Sequence, residues 1–143
     1  MPHSDHDSIP RFHLAVAVDD LTAARGFYGD TLGLHEGRSS QHWIDWNMYG
    51  HQVVTHLSPR NTEPAESSVD GHNVPIPHFG VILSISDFHA LTGRLRAHGV
   101  QFVREPHVRF PGEAGEQWTM FLRDPADNAL EFKAFADDTQ VFT

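Results

Sequence analysis

Two stretches of this chain share one grammar, and that repetition limits the fold more than any other feature of the sequence. Phe12, Leu14, Val16 and Val18 alternate with His13, Ala15 and Ala17, while Phe79, Val81, Leu83 and Ile85 alternate with His78, Gly80, Ile82 and Ser84. Alternation at a period of two is the signature of a strand with one greasy face and one small or polar face. Each stretch carries a histidine at its entrance, on the small-residue face. Each is followed by an acidic helix-start signal, an amphipathic helix and a glycine stop: Asp19-Asp20, then Leu21, Ala24 and Phe27 or Tyr28, then Gly33-Leu34; and Asp87, then Phe88, Leu91 and Leu95, then Gly99-Val100. The offsets from histidine to glycine differ by a single residue, which points to an internal duplication of a half-domain.

Further strands complete each copy. In the first, 35–41, 43–48 and 52–57 read as strands, with Tyr49-Gly50-His51 as a turn. In the second, 101–105, 117–123 and 129–135 read as strands, with a loop that includes 110–115 and a turn at 124–128. The expected class is therefore α+β: one domain over 1–143 made of two βαβββ modules, the first over about 11–57 and the second over about 78–135. Between them, 58–77 holds four prolines together with Asn61, Asp70, Gly71 and Asn73, and is expected to be irregular. It reads either as a linker or, from the stiff apolar run Val74-Pro75-Ile76-Pro77, as a strap across a site. Residues 1–10 read as a polar tail.

Charge and composition remove several classes of function. Nineteen acidic residues oppose ten basic ones, giving a formal charge of -9 with no basic cluster to neutralise phosphates, so nucleic acid is excluded as a partner. The chain has no cysteine, and any metal must be held by histidine and carboxylate. The N-terminus lacks an apolar signal core and no apolar run approaches about 20 residues, so a cytoplasmic protein with no membrane partner is expected.

Three residues stand out by position: His13 and His78, each opening the first strand of its module, and Glu131 in the last strand, where Leu130, Phe132 and Ala134 take the opposite face. Each avoids the bulky stripe of its strand. If the helices cover that stripe, the three share the concave side, and two imidazoles with one carboxylate make a facial set for a divalent metal. The plainer reading treats the histidines as hydrogen-bonded strand residues and Glu131 as an edge charge; with twelve histidines in the chain, pattern alone leaves both open. Arg109, Glu113 and Gln117, around a glycine-containing loop, are candidates for binding a substrate's anion or hydroxyl, and a solvated hairpin is the alternative. Trp43, Trp46 and Trp118 read as core or dimer contacts.

The His-strands, the helix with Phe27-Tyr28, Leu32-Gly33-Leu34 and the closing Asp124-Pro125…Asn128-Ala129-Leu130-Glu131-Phe132 together resemble the vicinal oxygen chelate superfamily, which includes glyoxalases, extradiol dioxygenases and bleomycin-binding proteins. Segments such as Gly50-His51-Gln52-Val53-Val54 and His107-Val108-Arg109-Phe110 are similar to a group of extradiol-type dioxygenases. The resemblance implies curved mixed sheets enclosing a metal-binding cleft, with His13, His78 and Glu131 as ligands. It implies Fe2+ or Mn2+ ahead of Zn2+ or Ni2+, a small vicinal-oxygen, catechol-like substrate, and a homodimer. Glyoxalases add a fourth ligand, usually glutamate, where this chain has His56, and that departure favours the three-ligand dioxygenase pattern. His56 and Tyr49 then become candidates for acid-base roles. A glyoxalase-like lyase or isomerase, and a non-catalytic drug-binding protein, are the alternatives.

Overall fold

The computed structural model of the chain describes residues 9–59, 65–69 and 72–143. The first module runs β1 (His13–Val18), helix α1 (Leu21–Thr31, whose second part, Arg25–Thr31, is a π-helix), β2 (His35–Ser39), β3 (Trp43–Met48) and β4 (His51–Leu57). A hairpin of β5 (Ala65–Val69) and β6 (His72–Ile76) follows. The second module runs β7 (His78–Phe79), α2 (Ile85–Ala97), β8 (Arg104–Arg109), β9 (Gln117–Arg123) and β10 (Ala129–Phe135). The sheets are copies in topology: β1-β4-β3-β2 and β7-β10-β9-β8, each with its first strand parallel to its last. The duplicated α+β architecture read from the sequence is the observed one.

Caps set the helix starts. Asp20 accepts from Ala23 N at 3.0 Å to start α1, and Ser84 accepts from Asp87 N at 3.1 Å to start α2. Ile85 therefore begins the helix rather than ending a strand, and the strand expected over Phe79–Ile85 is only β7 plus an isolated bridge between Ile82 and Lys133. Gly80 explains the brevity. A Cβ there would overlap the carbonyl of Glu131, so the backbone passes β10 too closely for regular pairing to continue.

Two further expectations are corrected. Residues 58–77 are not irregular throughout: β5 and β6 pair antiparallel from Val69↔His72 to Ala65↔Ile76, and the Asp70-Gly71 pair between them is the strongest short-range hairpin signal a sequence offers. Pro75 is tolerated because a two-stranded ribbon consists of edges. Residues 60–64 and 70–71 of that segment, and the tail through residue 8, lie outside the described residues. The strand expected over 101–105 lies instead at Arg104–Arg109, on the sheet edge and with a bulge between Arg104 and His107, where Pro106 costs no ladder bond.

The greasy faces of both sheets and the helices close on one core in which Tyr28, Ile44, Trp46, Phe88, Leu130 and Phe132 are all buried. Trp46 belongs to that core, whereas Trp43 and Trp118 are half-buried. Polar bonds tie the modules together. Tyr28 Oη donates to Asp124 Oδ2 at 2.7 Å, Asn128 Nδ2 donates to the Ala17 carbonyl at 2.7 Å, and Arg94 reaches the carbonyls of Asp30 and Thr31.

Candidate metal centre

With one face of each sheet committed to the core, register fixes what the other face presents. On the second sheet the pairs Glu131↔Phe121↔Arg104, Lys133↔Thr119↔His107 and Phe135↔Gln117↔Arg109 lie in successive rungs of that other face, much of it buried, with His78 beside Ala129 at its end. On the first sheet the open face carries His13 beside Gln52 and, at the far end, Ala17 beside His56 and Trp43.

His78 and Glu131 meet: Nε2 to Oε1 is 3.2 Å. Glu131 is buried, 8% exposed, and its other oxygen accepts from Thr119 Oγ1 at 2.5 Å. The other ring nitrogen of His78 lies 2.7 Å from the Pro75 carbonyl at the end of the hairpin, and the ring stands edge-on to Phe121 at 5.1 Å. A carbonyl can only accept, so Nδ1 carries a proton, and Nε2 of a neutral ring turns its lone pair toward a carboxylate oxygen. Two lone pairs facing each other call for a proton or a cation between them. This is the outer-shell pattern of histidine metal ligands, whose second nitrogen donates to a carbonyl.

His13 is prepared in the same way but elsewhere. Its Nδ1 lies 2.8 Å from Gln52 Oε1, and among the described residues no hydrogen bond engages Nε2, on the open face of the first sheet. Among the described residues, no three histidine or acidic side chains of one chain gather to hold a metal. One chain thus brings together two of the three residues read as ligands and holds the third apart. The donor chemistry fits a divalent ion, because each imidazole has Nδ1 fixed by an acceptor and the carboxylate has one oxygen tied and one open.

The other sequence candidates are placed as follows. His56 is exposed on the open face of the first sheet. Tyr49 occupies the β3–β4 turn with φ 52, and burial together with the nearby Asp87 carboxylate on α2 raises its phenol pKa. No hydrogen bond or ion pair among the described residues joins either to the His78–Glu131 pair. Arg109 lies with its guanidinium 4.6 Å from the Phe110 ring. Glu113 is exposed in the loop before β9. Gln117 is buried; its amide donates to the Gly115 carbonyl and, among the described residues, its Oε1 meets no donor, as is true of the buried His107 Nε2 in the rung next to that of Glu131. Sequence reasoning missed Thr119 and His107. The available signal was parity: Trp118 and Met120 point to the core, so a polar residue between them must share the face of Glu131.

A cavity of about 310 Å3 lies away from these groups, at the seam between the modules, walled by Leu14, Met48 and Val53 on one side and Phe79 and Val81 on the other.

Paired βαβββ modules, each with its first strand parallel to its last and with histidine and carboxylate side chains on the faces turned from the core, define a class of fold. The chain belongs to the glyoxalase/bleomycin resistance protein/dioxygenase superfamily, whose model matches residues 12–132. A glyoxalase/bleomycin resistance protein/dioxygenase from Alicyclobacillus acidocaldarius is 32% identical, with a TM-score of 0.78 over 93% of this chain and 96% of that one. The fosfomycin resistance protein FosX from Listeria monocytogenes shares the fold at 15% identity, with a TM-score of 0.66 over 94% and 99% of the two chains. An integron cassette protein from Vibrio cholerae shares it at 19% identity, with a TM-score of 0.61 over 89% and 95%. No curated protein matches the chain. No helix among the described residues is long and apolar enough to cross a membrane.

Proposed function

We propose that this protein is a divalent-metal-dependent enzyme acting on a small substrate with two vicinal oxygens, with extradiol-type ring cleavage of a catechol as the leading reaction. The observation that carries the reading is the His78–Glu131 pair, with Nδ1 and Oε2 already held by Pro75 and Thr119 so that Nε2 and Oε1 converge. His13 is the third ligand in this reading. Because one chain holds it apart from the pair, the site is completed between two copies, the first sheet of one facing the second sheet of the other. Superfamily members typically bind divalent metals and small molecules and often form dimers. Fe2+ or Mn2+ is the favoured ion, and when bound it supplies Lewis acidity and a template for two oxygens.

The chain's own residues do the remaining work. Among the described residues Gln117 Oε1 and His107 Nε2 lack donors, and both sit on the sheet face of Glu131, so a substrate hydroxyl is a fitting partner. Arg109, beside Gln117 in register, is placed for a substrate carboxylate, and Glu113 lies in the loop that follows. His56, the acid-base candidate read from the sequence, pairs with Ala17 and so lies four residues along the strand from the His13–Gln52 rung, roughly 13 Å away, which leaves it without a role at a centre that His13 completes. Tyr49, protonated at neutral pH, is a subsidiary candidate.

A second reading, a non-catalytic drug-binding protein, has one observation in its favour: the apolar cavity of about 310 Å3 at the module seam. Metal analysis after anaerobic purification separates the two, followed by oxygen uptake across a panel of catechols. Stoichiometric Fe or Mn that falls away in His78→Ala and Glu131→Ala supports the enzyme. Metal-free protein that binds aromatic drugs, and whose affinity is indifferent to both substitutions, favours the second reading.

A further inference from the structure

We infer that Thr119 is a positioning residue that presents Glu131 to a divalent cation through one oxygen only; the inference rests on the metal-binding reading above. Thr119 is fully buried and sits diagonally from Glu131 across the β9–β10 ladder, where its register partner is Lys133 and that of Glu131 is Phe121. Diagonal neighbours stand about 7–8 Å apart, within reach of a glutamate side chain. The hydroxyl donates to Glu131 Oε2, while Oε1 faces His78 Nε2.

Packing does not require a hydroxyl at this position. Trp118 and Met120 on either side are both directed to the core, and a valine would fill the space of Thr119 equally well. What valine lacks is the donor. Without it, Oε2 is left buried and unpaired, and the carboxylate is free to rotate or to chelate through both oxygens. The hydroxyl therefore fixes the denticity and direction of the carboxylate, the outer-shell role whose loss typically weakens metal binding by about 10- to 100-fold.

The test uses the full-length chain stripped of metal by chelator dialysis and titrated with Mn2+ and, separately, Ni2+ by calorimetry, with urea midpoints of the metal-free chains measured alongside. Thr119→Val should bind each ion about 10- to 100-fold more weakly than wild type, and Thr119→Ser, which keeps the donor, should restore binding. Thr119→Ala serves in place of valine if that variant does not fold. A purely structural role would lower the urea midpoint yet leave affinity unchanged. Wild type that binds and a folded valine or alanine variant that binds equally well overturns the role of Thr119 alone. Wild type that binds neither ion overturns the metal reading and the inference with it.

Discussion

Tyr28 shows how much one hydroxyl can hold. It is fully buried, packs edge-on against Phe27 and stacked on Trp46, and donates to Asp124, whose carboxylate also accepts from the backbone N–H groups of Ala126 and Asn128 and from Asn128 Nδ2. Burial, and secondarily the charge of Asp124, push the phenol pKa well above its ordinary value near 10. The sign follows directly: a pKa raised in the folded state means that the native chain keeps a proton the unfolded chain releases. The stabilisation is complete below pH about 10 and is lost as pH rises from there toward the folded value, at up to about 1.4 kcal/mol per pH unit. The chain has no cysteine, one lysine and two tyrosines, so few other groups titrate in that window. Tyr28→Phe should cost about 1–3 kcal/mol at pH 7, because a buried carboxylate loses a donor, and should flatten the decline in urea midpoint above pH 10. An equally steep decline in the variant would assign it to Tyr49, whose phenol is also raised.

At the scale of elements, two glycines make opposite demands. Gly80 carries β7 across β10 so closely that a methyl group would strike the Glu131 carbonyl, and that crossing brings His78 onto Glu131. Gly93 lies within α2, exposed, with nothing near a Cβ. Gly80→Ala should therefore destabilise by about 1–3 kcal/mol or more and weaken metal binding, while Gly93→Ala should stabilise by about 1 kcal/mol through helix propensity alone. Thermal melts of the two variants give the comparison, and Gly80→Ala with unchanged stability would show that the crossing can relax. The same elements show what the sequence made legible. Period-two alternation exposed β1, β3, β4, β9 and β10 because each has one face on the core, and the histidine-to-glycine offset exposed the duplication. The β5–β6 hairpin was missed, despite the turn signal of Asp70-Gly71, because it sits on neither sheet and Pro75 and its neighbouring prolines read as breakers. Strand β8 was displaced because an edge strand with a bulge has no clean alternation. The candidate ligands stood out as polar residues on small-residue faces. The bond from Thr119 did not, since a hydroxyl's partner is set by a cross-strand diagonal that appears only once register is known.

For the whole molecule, the separation of His13 from His78 and Glu131 turns assembly into a question that can be answered by mixing chains. Each half of the proposed centre is internally prepared, His13 by Gln52 and the His78–Glu131 pair by Pro75 and Thr119, yet the halves lie on different sheets. If two copies complete each other, one variant lacking His13 and another lacking Glu131 are complementary. In a mixed dimer, the intact His13 of the Glu131→Ala chain meets the intact His78 and Glu131 of the His13→Ala chain, giving one whole site; the other site loses both residues. Each variant alone should bind little metal. After unfolding and joint refolding at equal amounts, half of the dimers are mixed, and binding should return to roughly a quarter of the wild-type site count, the statistics of a two-fold pair. Sites closed within a single chain would give no recovery at any mixing ratio. Sedimentation of wild type across micromolar concentrations supplies the companion measurement, because a monomer that retains stoichiometric metal would rule out the shared centre and require His13 to reach His78 and Glu131 within its own chain.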